Sequence, residues 1–104
     1  MRIDELGNLL KETGIPVAYG YFPDDQPQKP PYICYRVLRD SNFAADGTVF
    51  HKADIVQIEL YIKIKDWELE DKVENILSSD FVWSKEEGYL EEEKIFQIIY
   101  EIEV

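Results

Sequence analysis

This 104-residue chain has only one cysteine and one histidine. Cys34 alone closes no internal disulfide, which fits a reducing compartment. With His51 as the sole imidazole, a His pair, a His–Cys cluster and a Ser–His arrangement are all excluded within one chain; a metal site would need carboxylates or a subunit boundary. The glycines at 7, 14, 20, 47 and 88 form no phosphate-binding pattern. No stretch approaches the roughly 18 apolar residues of a membrane span. The opening Met1-Arg2-Ile3-Asp4-Glu5 is charged and amphipathic, unlike a secretory leader. No membrane partner is expected.

Cations are scarce too, and unevenly so. The net charge is −11, from 11 basic and 22 acidic residues. Residues 1–65 hold 9 acidic and 8 basic groups, whereas residues 66–104 hold 13 acidic and 3 basic. A surface with that excess repels phosphates, so no specific nucleic-acid binding is expected.

What is present suits one globular α+β domain over residues 1–104, with 45% apolar and 13% aromatic residues. Ile3, Leu6, Leu9 and Leu10 recur at helical spacing between Arg2 and Thr13, and Gly14 and Pro16 end that helix. Val17 to Phe22 reads as a short strand, and the prolines at 23, 27, 30 and 31 keep the next stretch extended. Tyr32 to Arg39 alternates, with Ile33, Tyr35 and Val37 facing the core. Thr48-Val49-Phe50 forms a short arm before the clearest strand, Ala53 to Lys65, where Val56, Ile58, Leu60, Ile62 and Ile64 share one face. Asp66 caps a second helix carrying Leu69, Val73, Ile76 and Leu77. Phe81-Val82-Trp83 and Lys94 to Val104 are strands, with a turn at Glu86-Glu87-Gly88. The expected architecture is two helices packed on one antiparallel sheet in the order α-β-β-β-α-β-β.

The residues do not assemble into an enzyme. His51 lies between Phe50 and Lys52 and reads as structural, as does Cys34 in its strand. Asp24-Asp25 and Glu86-Glu87 are expected pairs in so acidic a chain and read as solvated. No catalytic, cofactor-binding or metal-ligating residue is assigned, and no cofactor is expected. Trp67, one residue past the cap, staples the start of the second helix to the core, the favoured reading, or faces a neighbour. Phe43 stands out, an aromatic among turn formers in Asp40-Ser41-Asn42-Phe43-Ala44-Ala45-Asp46-Gly47. It folds back over the core or meets a neighbour, since buried aromatics anchor protein interfaces.

The loops carry a resemblance. Pro16-Val17-Ala18-Tyr19-Gly20, Pro30-Pro31-Tyr32-Ile33, Ser41-Asn42-Phe43-Ala44-Ala45-Asp46, Ile58-Glu59-Leu60-Tyr61 and Ile99-Tyr100-Glu101-Ile102-Glu103-Val104 come in an order and spacing that resembles the small tail-completion, or tail-terminator, proteins of Gram-positive siphophages and prophages. The resemblance implies a virion structural protein at the head-proximal end of the tail, present in the host cytoplasm during assembly. It would cap the tail tube as a ring, expected to be a homo-hexamer, and join tail to head. Its partners would be its own copies, the tail tube protein and a head-completion or connector protein. It implies no catalytic residues. Asn42, Phe43, Pro30 and Pro31 are the candidate interface residues, and Glu91, Glu92 and Glu93 are candidates for an acidic lumen. Two other readings stay open: a neck or stopper protein between head and tail, and a non-structural acidic protein that mimics nucleic acid.

Overall fold

The computed structural model describes the backbone of residues 1–45 and 49–104 and the side chains of residues 1–39 and 53–104. Along the chain come α1 (Ile3–Leu10), a 3-10 turn (Lys11–Thr13), β1 (Val17–Tyr19), β2 (Tyr32–Ala45), β3 (Val49–Ile62), α2 (Trp67–Ser78), β4 (Trp83–Leu90) and β5 (Ile95–Glu103). The strands form one sheet in the spatial order β1-β2-β3-β5-β4. Both helices pack on one face, so the fold is α+β. No described helix is long and apolar enough to cross a membrane.

The core follows from period two on the strands and period 3.6 on the helices. Ile33, Val56, Ile58, Leu60, Ile98 and Tyr100 point to the helix face and are fully buried under Leu6 and Leu10 of α1 and Val73 and Leu77 of α2. Each such aliphatic contributes about 1.5–3 kcal/mol by leaving water. α1 lies so close to β2 that a Cβ on Gly7 would overlap the Tyr35 hydroxyl. The Thr13 hydroxyl donates to the Leu10 carbonyl at 2.8 Å, and Gly14 turns the chain at φ 85°, which a residue with a Cβ adopts only with strain. At α2 the Asp66 carboxylate accepts the Leu69 N–H at 3.1 Å, a cap that satisfies one orphan donor.

Several expectations need correction. The sheet is mixed, because β1 runs parallel to β2, with Val17, Ala18 and Tyr19 against Ile33, Cys34 and Tyr35. Residues 20–31 provide the reason: a parallel return needs about a dozen residues of crossover, and the Pro-rich connector has that length. β1 stops at Tyr19 because Gly20 turns the chain at φ 79°. The stretch expected as an Asp40–Gly47 loop is strand as far as Ala45; residues 46–48 lie outside the described residues. Its turn formers are overridden by the ladder to Val49–Asp54. β4 runs straight through Glu86-Glu87-Gly88, and the turn falls at Glu91 to Lys94, where Lys94 has φ 57°. As an exposed edge strand with one neighbour, β4 has no apolar alternation to mark it. Trp67 is 69% exposed and outside the core, since the first turn of α2 buries Leu69 and Glu70 instead.

A buried charge ties α2 to the sheet. Glu70 is 1% exposed; Lys85 Nζ lies 2.8 Å from its Oε1, and Lys65 Nζ donates to Oε1 at 2.9 Å. Its Oε2 is 2.8 Å from the Lys65 ammonium at an angle unsuited to a hydrogen bond, so that contact is electrostatic. Lys65 also reaches Glu87, and Lys85 reaches Glu74 at 2.8 Å, which in turn accepts the Tyr100 hydroxyl at 2.7 Å. Burial alone would raise the Glu70 carboxyl, but hydrogen bonds and charge from Lys65 and Lys85 outweigh it and hold the group below 4.5. Both lysines are held above 10.5, burial being outweighed by Glu70 with Glu87 and Glu74.

Glu70→Ala would leave two ammonium groups facing each other, at a cost of roughly 3 kcal/mol near pH 7. The depressed carboxyl stabilises the fold above 4.5, and that contribution fades as pH falls through its folded value. The raised lysines stabilise it below 10.5 and lose that contribution as pH rises through theirs. Urea titrations across pH should therefore show the gap between wild type and variant widest in the neutral range and narrowing at both extremes.

Candidate functional site

Two features at opposite ends of β2 and β3 set this molecule apart from a plain two-layer domain. The first is an arm. β5 accompanies β3 only between Ile55 and Ile62, with Asp54 and Val104 exchanging backbone hydrogen bonds just beyond. β1 accompanies β2 only between Ile33 and Tyr35. A register shift between Val37 and Arg39 interrupts the ladder, and from Asp40↔Asp54 to Ala45↔Val49 the two strands continue together; Val104 bonds Asp54 at the start, and beyond it no further strand pairs with the described residues. Six residue pairs make an arm about 20 Å long. The molecule accordingly measures 49 × 29 × 25 Å. A two-stranded ribbon is marginally stable on its own, so such an arm gains from a surface to lie on.

The second feature is the pole where β2 begins and β3 ends. There the Pro-rich connector separates two clefts. One, of about 330 Å³, lies on the sheet face away from the helices between Tyr21, Phe22, Pro27, Tyr32, Cys34 and Tyr61. Its aromatic rings brace one another: Tyr32 stacks on Tyr61 at 4.9 Å, and Phe22 meets Tyr32 edge-on at 5.6 Å. The other, of about 340 Å³, lies between Pro30, Pro31, Ile62, Lys63, Ile64 and Leu69. Ile64 continues the apolar face of β3 past its last ladder pair and is left 78% exposed. Trp67 stands nearby in sequence with the Lys65 ammonium 5.5 Å from its ring.

The sheet face away from the helices holds a closed polar network. Tyr61 donates its hydroxyl hydrogen to Glu59, which also accepts from Gln57 at 2.7 Å and has Arg36 Nε at 3.7 Å. Gln97 donates to the Tyr61 oxygen at 3.0 Å. Burial, then Glu59 itself, push the Tyr61 hydroxyl well above the usual phenol range, so it acts as a fixed donor. Beside it, burial and the Glu59 charge raise the Cys34 thiol to about 11. This arrangement orders the face; it presents no activated nucleophile. No described His, Cys, Asp or Glu residues group to hold a metal ion. Cys34 should react with a thiol reagent at pH 8 at least about tenfold more slowly than a free cysteine, and at the ordinary rate in denaturant. A disulfide-exchange chromophore assay reads both rates.

The residues singled out from sequence fall apart into two groups. Pro30 and Pro31 sit at the connector pole, and Glu91, Glu92 and Glu93 are exposed in the β4–β5 turn at that same end of the sheet. Asn42 and Phe43 belong to the backbone of the arm, opposite Lys52 and His51, with their side chains outside the described residues. Within one chain the two groups never meet: ten strand residues separate Ile33 from Phe43, about 33 Å. Ile64, expected on the core face of β3, is exposed because that alternation outruns the strand's pairing, and Trp67 takes the outward position rather than the favoured core one. Compared with known proteins, the chain matches no protein-family model and no curated relative.

Proposed function

We propose that this chain is a structural virion protein of a phage or prophage, a tail terminator that caps the tail tube as a ring and joins the tail to the head. The carrying observation is the arm: a two-layer body with paired residues 40–45 and 49–54 extending beyond its sheet suits a subunit that must grip a neighbour. Of the five segments that resemble tail-completion proteins, Ser41-Asn42-Phe43-Ala44-Ala45 belongs to the arm and Pro30-Pro31-Tyr32-Ile33 to the connector pole, while the other three lie in β1, β3 and β5 of the sheet body. In a ring the acidic excess after Lys65 has a use, since a negative lumen lets DNA pass without adhering. A neck protein would share these properties. A nucleic-acid mimic is favoured by the same 13-to-3 charge imbalance but has no use for the arm.

Deleting the gene from its phage or inducible prophage and imaging the lysate by electron microscopy tests the reading. DNA-filled heads unjoined to tails, beside overlong or irregular tails, are expected. Empty heads with normal detached tails would move the protein to the neck. Intact infectious particles would remove it from the joint and leave the acidic mimic.

Charge reversal at Glu91, Glu92 and Glu93 tests the lumen. It should slow DNA ejection without changing particle number, and unchanged ejection kinetics would take this turn out of the channel.

A further inference from the structure

We infer that the aromatic cleft between the Pro-rich connector and the outer face of the sheet receives an arginine side chain of a basic partner protein. The inference goes beyond the tail reading and does not depend on it.

The cleft is built from rings. Tyr21, Phe22, Tyr32 and Tyr61 line its volume of about 330 Å³. Tyr32 and Tyr61 stand opposite each other in the β2–β3 ladder and stack, and Phe22 meets Tyr32 edge-on. The connector is held around them by its own backbone. The Gly20 N–H donates to the Tyr35 carbonyl at 2.8 Å, and the Gln26 N–H donates to the Pro23 carbonyl at 2.9 Å. Prolines at 23 and 27 restrict the chain further. A cleft already formed loses little freedom when it is filled. Tyr21 is nevertheless 77% exposed, a large ring left uncovered at the edge of the cleft.

Charge selects the occupant. Among the described residues lining the cleft, the Asp24 carboxylate is the one charged group. Asp25 follows it in the connector, and Glu59 lies beneath, accepting the Tyr61 hydroxyl. The β4–β5 turn adds Glu91, Glu92 and Glu93 at the same end of the sheet. Against these stand Lys29 in the connector, Lys94 in the turn, and Arg36, whose guanidinium lies 3.7 Å from Glu59. The Tyr32 hydroxyl is held above its ordinary value first by burial, then by Cys34, Glu59 and Glu93. Carboxylates of the sheet and of the turn therefore both act on the cleft wall.

Rings beside a carboxylate suit a cation. A guanidinium stacks flat on an aromatic face and donates two parallel N–H bonds to a carboxylate, which a compact, strongly hydrated ammonium cannot do. Phosphate-bearing ligands could stack on the rings but would be repelled by the charge. Free arginine brings a carboxylate of its own, and the cleft lining offers no cation to meet it. Inside a peptide that carboxylate is gone. A net charge of −11 also draws a basic segment towards this chain before contact.

The probe is an acetylated and amidated Gly-Arg-Gly peptide, compared with the same peptide carrying neutral citrulline. Binding to the isotope-labelled full-length chain is followed by nuclear magnetic resonance at about 0.15 M salt. Amide signals of residues 20–28, Tyr32 and Tyr61 should shift and saturate, with a dissociation constant of about 1 mM. The citrulline peptide should bind at least about fivefold more weakly. Tyr21→Ala and Asp24→Asn should each weaken the arginine peptide about threefold. Both positions are exposed, and circular dichroism melts verify that the variants fold. Glu68→Gln removes the same charge from an exposed position on α2 and should change nothing.

Equal binding of the two peptides would overturn the inference in favour of a neutral peptide groove. Tetramethylammonium binding as tightly as the arginine peptide would overturn it in favour of a small free cation. A loss in Glu68→Gln matching that in Asp24→Asn would reduce the effect to overall charge, and no shift at about 20 mM peptide would leave the cleft without this ligand. The deletion phenotype is read separately: unjoined heads with an unbound peptide would condemn the cleft alone, and a bound peptide with intact particles would condemn the tail role alone.

Discussion

The pairing of β2 with β3 runs from Tyr32↔Tyr61 to Ala45↔Val49, and its first half is flanked by other strands and covered by helices. That half contains Ile33, Val56, Ile58 and Leu60, each fully buried, and it anchors β5 on one side and β1 on the other. The second half borrows its order from the first. Extending two strands from a packed sheet costs less than closing a separate hairpin, because register and twist are already set where the side chains are buried. The arm can thus be long without a core of its own.

Charge has a double role in the same frame. Within the body, Glu70 is held by two lysines and links α2 to β4, which has little apolar surface with which to hold its place. A buried ion pair is a weak source of net stability and a strong source of specificity, since any misplacement leaves a charge unpaired. Lys65 and Lys85 are spent on this task. The outside of residues 66–104 is left more negative as a result.

The buried half of this fold was legible in the sequence because burial leaves a period. Val56, Ile58, Leu60 and Ile62 alternate under the helices, and Leu69, Val73 and Leu77 repeat along α2. What misled was strand structure set by pairing rather than by an apolar period. Residues 40–45 look like a turn because Asp, Ser and Asn favour one, yet they are strand because β3 continues beside them. β4 is equally silent, with Ser84 to Tyr89 exposed and a glycine in its middle. Core packing was the favoured reading for Trp67, one residue past the cap, whereas α2 turns Leu69 inward and leaves the indole exposed beside Lys65. The candidate interface residues were legible as oddities, namely Phe43 among turn formers and adjacent Pro30 and Pro31. Their placement at opposite ends of one ladder was not, because it depends on the length of that ladder.

That length is also what gives the molecule a direction. A domain whose uncovered ribbon and uncovered groove lay side by side would satisfy both within one chain and remain alone. Here about 33 Å of strand separates Ile33 from Phe43, so the arm and the connector pole lie at opposite ends of the chain. A subunit that joined its own copies through two such separate surfaces would add in one sense only, with the angle between successive copies deciding between a closed ring and an open filament. The register shift between Val37 and Arg39 lies where the arm leaves the body. It is therefore the local feature best placed to set that angle.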